Sequence, residues 1–283
     1  MSYNNPKVWN AVNEISEMIH EIDPNHLTTT TLAGVSQREI SRIKERASDL
    51  DLLSVQMYGD LPNLPKLIRE FGWEKAYMVT EWGATGHWEV PTTSWGAPVE
   101  DNSTVKAAHY LDRYKNGIEV DTEQCVGSYV FLWGNKQERT PTWYGIFLRD
   151  GQETESVDVM HYIWNGVYPE NRTPQIKSFT IDGQDAYQSV TVEADQKMEA
   201  VAEIFDFEGD EITYKWEILR EATNVSHGGD YEERPDDIVI DELSKEGGRL
   251  VFKAPSSGEY RLYIYATDGH NHSAAANIPF KVN

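Results

Sequence analysis

Residues 76–82 read Ala-Tyr-Met-Val-Thr-Glu-Trp, a short apolar run rich in β-formers that ends on a carboxylate and is broken by Gly83. The run predicts a buried strand. In a barrel of parallel strands the C-terminal tip of each strand opens onto the active site, so Glu81 is aimed at a substrate rather than at the core. A carboxylate in that place, flanked by Trp82, suits a nucleophile that attacks the anomeric carbon of a sugar. Taken alone, the residue equally fits a strand-end acid facing water. The rest of the chain shifts the balance.

At 283 residues the chain has room for two ordinary domains, and 39% hydrophobic residues suffice for a core. No stretch of about 18 apolar residues exists to span a membrane. The first residues, Met-Ser-Tyr-Asn-Asn-Pro, lack a basic-then-apolar leader pattern. The single cysteine, Cys125, excludes a disulfide within the chain and reads as a buried thiol. A net charge of −22 repels nucleic acid and anionic membranes, which favours a neutral partner. Acidity of this degree also suits an extracellular or periplasmic protein.

Two prolines in Tyr168-Pro-Glu-Asn-Arg-Thr-Pro174 mark a linker, dividing the chain into residues 1–170 and 171–283. Tryptophan separates the halves: of nine, only Trp216 follows the linker. The first half alternates. Helices are expected at 5–22, 36–46, 62–71, 103–117 and 156–166, and strands at 26–32, 50–58, 75–82 and 126–134. Trp9, Val12, Ile15, Ile19 and Ile22 form one helical stripe, and Ile40 and Ile43 face inward. Such alternation implies a parallel sheet with right-handed crossovers. Four strands cannot close a (β/α)₈ barrel, so the expectation is half of one. The second half reads as seven or eight alternating strands, hence a β-sandwich with Trp216 in its core.

The first half resembles the C-terminal half of the clan A glycoside hydrolase barrel, the group of β-galactosidases, β-glucuronidases and cellulase-like enzymes. The resemblance covers residues 5–168. It is carried by Ile19-His-Glu-Ile-Asp-Pro-Asn25, by Asp51-Leu-Leu-Ser-Val-Gln-Met-Tyr58 as strand six, by Val79-Thr-Glu-Trp-Gly83 as strand seven and by Ser128-Tyr-Val-Phe-Leu-Trp133 as strand eight. It implies a retaining β-glycosidase acting on a β-linked glycan, with Glu81 as nucleophile. Tyr58 would hydrogen-bond that carboxylate and hold it ionised and oriented. Trp133 would floor the subsite of the reacting sugar. A retaining enzyme needs a second carboxylate. In clan A this acid/base lies in an Asn-Glu pair at the tip of strand four, which the resemblance places upstream of Met1. Asn13-Glu14 is not a substitute, because it lies within the helical stripe and Glu14 points to solvent.

The loop between Gly83 and Ser103 carries His87, Trp88, Glu89 and Trp95, and the loop after strand eight carries Gln137, Glu138, Trp143 and Tyr144. Long structureless loops are commonly functional. Together with Trp82 and Trp133, these residues supply the mixture of stacking faces and hydrogen-bonding groups that sugars need. His87 and Glu89 have no further metal ligands at suitable spacing. In the second half, Asp206-Phe-Glu-Gly-Asp-Glu-Ile-Thr-Tyr-Lys-Trp216 resembles cadherin-like and polycystic-kidney-disease-type immunoglobulin-like domains. There Asp206, Glu208, Asp210 and Asp268 offer oxygens suited to calcium, although the full EF-hand pattern is missing. No other cofactor is expected. A second reading is a non-catalytic carbohydrate-binding or scaffold protein on a degenerate half-barrel. Its bare sheet edges would drive it to form a homo-oligomer. A metal-dependent hydrolase finds no His-x-His or acid-rich tip on the strands of the first half in its favour.

Overall fold

The computed structural model describes residues 5–226 and 229–283; Met1 to Asn4, part of the segment read for a leader, lie outside them. Helix α1 (Pro6–Ile22) begins where Asn5 accepts a hydrogen bond from the Lys7 backbone, with Pro6 pre-set for the first turn. Of its apolar stripe Trp9 is buried, but Ile15 and Ile22 are 53% and 77% exposed, so the helical spacing overstated how much of that face is covered. Strand β1 (Thr29–Ala33) follows. Helix α2 (Gln37–Arg46) is capped by Ser36, which accepts from the Glu39 backbone, and it buries Ile40 and Ile43.

Strand β2 (Leu52–Gln56), helix α3 (Leu64–Glu70), strand β3 (Ala76–Gly83), helix α4 (Ser103–Arg113) and strand β4 (Cys125–Phe131) complete the alternation. The four strands form one parallel sheet in the order β1-β2-β3-β4. A π-helical turn over Tyr114–Glu119 extends α4. It approaches the segment after β2 so closely that a Cβ on Gly117 would lie 2.8 Å from the Leu61 carbonyl oxygen, which only glycine allows. Cys125 is only half-buried.

Two compact units emerge: Met1–Gly83 with Asp112–Phe131, and Ala84–Leu111 with Leu132–Asn283. This overturns the half-barrel. The helical pattern was legible, but Ala84–Leu111 and helix α5 (Glu155–Asn165) pack in the second unit, leaving the first as an open four-stranded sheet. Alternation establishes which segments are helices and strands, not which of them share a core. With the half-barrel goes the premise for self-association. The linker expected near residue 170 falls within the second unit.

In the second unit, strands β5 (Gln175–Ile181), β6 (Val190–Val192), β7 (Lys197–Phe205), β8 (Thr213–Arg220), β9 (Asp237–Ile238), β10 (Asp241–Glu246), β11 (Arg249–Lys253), β12 (Gly258–Thr267) and β13 (Ser273–Val282) form two sheets. Their orders are β10-β11-β7-β5 and β6-β13-β12-β8-β9. A single apolar cluster, including Ile181, Met198, Trp216, Phe252, Leu262 and Phe280, lies between them. The immunoglobulin-like expectation is corrected here. β6 runs parallel to β13, and β10, wholly exposed and absent from the sequence reading, forms an edge, whereas that fold consists of two antiparallel sheets. Trp216 is in the core as expected, against Phe179. β13 is buried on both faces because Ala275 and Asn277, on its outer side, bond to Ser103 and Glu100. Among the described residues no helix is long and apolar enough to cross a membrane.

A buried carboxylate ties the first unit together. Asp121 accepts from the Arg69 guanidinium at 2.7 and 2.9 Å and from the Tyr77 hydroxyl at 2.8 Å. Burial pushes its pKa up, but Arg69, Tyr77 and the Gln124 backbone outweigh that and hold it at about 2, below the ordinary 3.8. A depressed folded value means that this stabilisation is complete above about pH 4 and is lost as pH falls towards 2. It amounts to about 2 kcal/mol. Asp121→Asn is expected to lower stability by about that amount at neutral pH and to flatten the decline between pH 4 and 2. Urea midpoints measured across that range check this; an unchanged acid limb contradicts it.

Candidate active site

Glu81 is positioned by an irregularity in the first unit's sheet. Leu52 to Val55 pair in step with Ala76 to Val79, and continuing that register would put Thr80 opposite Gln56. A β-bulge intervenes and Glu81 takes the place instead. Bulges re-aim side chains and recur beside active sites. The ladder resumes immediately, with the Met57 N–H donating to the Glu81 carbonyl at 2.9 Å.

The carboxylate then meets two donors, one per oxygen. Gln56 Nε2 donates to Oε2 at 3.1 Å, and the Tyr58 hydroxyl makes a short hydrogen bond to Oε1. Tyr58 is itself fixed: it is buried and its ring meets Phe131 edge-on at 6.4 Å. Glu81 is half-buried, neither sealed in the core nor free in solvent. A carboxylate held at both oxygens by neutral donors has a defined direction for its remaining lone pairs, which nucleophilic attack requires. Gln56 was missed in the sequence, where the polar residue at the end of the Leu52–Gln56 run was its signal. Glu14 is exposed on α1, as expected.

Trp82 occupies a different place from the one expected. It is fully buried and packs on Tyr114 with ring centroids 6.0 Å apart. Its indole belongs to the core of the first unit rather than to a sugar-binding surface.

Within the second unit, the two aromatic loops converge on His87. Its Nδ1 bonds the Tyr144 hydroxyl at 2.8 Å and its Nε2 accepts from Arg139 at 3.1 Å. Trp88, Trp143 and Tyr144 surround the imidazole at centroid distances of 4.9 to 6.3 Å. Arg139, which the sequence reading did not single out, adopts φ +62°, an uncommon backbone state for a non-glycine residue that is held here by the Glu232 carboxylate on its N–H. Trp143 and Tyr144 are buried and Trp88 is 61% exposed. Trp133 is half-exposed beside Phe147 and Trp164, the latter another residue that the sequence reading passed over. Glu138 is buried and paired with Lys136 at 2.8 Å. Buried polar atoms without partners among the described residues include both ends of the Gln137 amide and Trp95 Nε1.

Asp206, Glu208 and Asp210 do come together, with one carboxylate oxygen from each within 4.8 Å of the others. Asp206 Oδ1 is engaged by the backbone N–H groups of Glu208, Gly209 and Asp210. Asp268 instead holds His272 and the backbone of His270. Calcium, if bound, would rest on the first three residues.

No protein-family model matches the chain. No curated protein matches it either. Among solved structures it is distantly similar to a GH30 endoxylanase from Clostridium papyrosolvens C71, at 11% identity and TM-score 0.37, over 96% of this chain and 60% of that one. It is likewise similar to a nucleoside hydrolase-related protein from Saccharophagus degradans associated with carbohydrate metabolism, at 13% identity and TM-score 0.31, over 96% and 75%. PcoC, a methionine-rich copper resistance protein from Escherichia coli, is similar over 39% of this chain and 99% of that one, at 17% identity and TM-score 0.26. At these TM-scores the likenesses assign neither fold nor function.

Proposed function

We propose that this chain supplies the nucleophile of a retaining β-glycosidase, with Glu81 attacking the anomeric carbon of a β-linked glycan. The observation that carries the reading is the Glu81 carboxylate at the end of β3, bulged into place and fixed by Gln56 and Tyr58 on its two oxygens. In this chemistry a carboxylate oxygen bonds to the anomeric carbon as the glycosidic bond breaks, and the leaving oxygen takes a proton from a general acid. Water then cleaves the glycosyl ester and restores the carboxylate, and two inversions give net retention. Tyr58 and Gln56 are positioning residues, because they fix the direction of attack. Among the described residues they are the hydrogen-bond partners of the carboxylate, and neither is acidic, so neither is assigned the acid's role.

The exposed indoles of Trp88, Trp133 and Trp164 favour a second reading, non-catalytic glycan binding by stacking. One experiment separates the two. The protein is incubated with a panel of dinitrophenyl β-glycosides, whose leaving group departs without a general acid, and the first-formed anomer is followed by proton NMR. Release of the β-anomer is expected. Release of the α-anomer contradicts a glutamate nucleophile, and saturable binding without cleavage favours the second reading.

A further inference from the structure

A cleft of about 520 Å³ opens within the second unit, lined by residues of the 141–152 segment and by strands β8 and β12. Its size suits a small ligand. Its charges are unusual for this molecule. In a chain of net charge −22, the lining carries three cations, Arg149, Lys215 and Arg234, against two acids, Asp150 and Glu217.

Both acids are already occupied. Glu217 pairs with Lys215 at 3.2 Å and Arg234 at 3.1 Å, and accepts from the Tyr265 hydroxyl at 3.2 Å. Asp150 turns onto its own loop and accepts from the Gln152 backbone and side-chain amides. Arg234 is also taken, by Asp237 at 2.8 Å. Two positive groups are left available. Arg149 makes no hydrogen bond or ion pair among the described residues, although Asp237 feels its charge. Lys215, 70% exposed, has one ion pair for its three N–H donors. Around them lie the hydroxyls of Thr213 and Thr267, which donate to the Thr267 carbonyl at 3.4 Å and to Gln152 Oε1 at 3.0 Å and so keep their oxygens as acceptors. The Gln152 amide keeps its second N–H, and the Tyr265 ring lies beneath Lys215 at 5.4 Å. Cations beside hydroxyls, an amide and an aromatic ring recognise a molecule that carries both a carboxylate and several hydroxyls.

We propose that this cleft binds a small polyhydroxylated carboxylate, with Arg149 and Lys215 as its counter-charges. The site lies wholly in the second unit and does not depend on the glycosidase reading. The probes are gluconate, its uncharged counterpart sorbitol, and acetate, each titrated calorimetrically into the full chain. Gluconate is expected to bind saturably, at least about tenfold more tightly than either of the others, and more weakly as ionic strength rises. The double replacement Arg149→Ala with Lys215→Ala should weaken gluconate binding by about tenfold or more. Both side chains are solvent-facing, so an unchanged thermal midpoint is expected alongside. Glu81→Gln should leave gluconate affinity unaltered, which keeps this test separate from that of the nucleophile. Absence of saturable gluconate binding overturns the proposal. So does equal affinity for acetate or sorbitol, or undiminished affinity in the folded double variant.

Discussion

Replacing Glu81 with glutamine is expected to reduce glycoside turnover by on the order of 10⁴-fold or more while the protein stays folded. Glutamine has the carboxylate's size and leaves the bulge in β3 undisturbed. It still presents one carbonyl oxygen to the Tyr58 hydroxyl. Its amide nitrogen then faces Gln56 Nε2, two donors together, and Gln56 relieves the conflict by rotating its own amide. The structural cost is therefore small. The chemical cost is not, because a neutral amide is a far poorer nucleophile than a carboxylate at an anomeric carbon. The comparison requires the form of the protein that turns substrate over, with thermal midpoints measured in parallel. Undiminished turnover in the glutamine variant contradicts the assignment. A collapsed midpoint reports a structural role instead.

The second large effect concerns stability. Replacing Lys106 with alanine is expected to cost about 3–5 kcal/mol, read as a shift in the urea midpoint. Lys106 pairs with Glu100, and the two residues are only 7% and 5% exposed. Glu100 also accepts from Thr140 at 2.6 Å, Thr142 at 2.8 Å and Asn277 at 2.6 Å. Asn277 is in turn held by Arg261, whose guanidinium reaches Glu221 and the Pro98 carbonyl. Burial pushes the Glu100 carboxyl up, but the Lys106 charge and these donors outweigh it and keep it ionised. Removing Lys106 leaves that charge buried without its counter-ion, and this loss exceeds that of the pair itself. The contrasting variant is Lys281→Ala. Its pair with Glu259 at 3.1 Å is about 40% exposed on both sides, and its loss should cost under about 1 kcal/mol. Equal losses in the two variants would refute this account of the buried network.

Helices and strands were largely legible in the sequence because each leaves a local signature. The Ser36 cap, the Ile40 and Ile43 spacing and the β-former run before Glu81 all act within a few residues. The division into compact units was not legible, because it depends on Glu100, Lys106, Asn277 and Arg261, up to 177 residues apart, finding one another. Glu81 with Tyr58 could be read as a pair. The bulge that aims the carboxylate could not, since it is a mismatch between two strands and neither strand records it alone. Trp82 is the instructive error. Neighbouring residues on a strand point to opposite faces, so placing Glu81 at an open face already implied a buried Trp82. Trp143 and Tyr144 went the same way: aromatic residues in a loop suggested a binding surface, yet His87 and its neighbours use them as packing.

The central claim, that Glu81 forms the bond to sugar, is tested most directly by trapping that bond. A 2-deoxy-2-fluoro glycoside with a good leaving group slows the breakdown of the glycosyl ester, and peptide mass spectrometry then locates the label. The adduct is expected on Glu81, in the peptide spanning residues 76–83. A label on any other residue, or none in a preparation that hydrolyses glycoside, would contradict it.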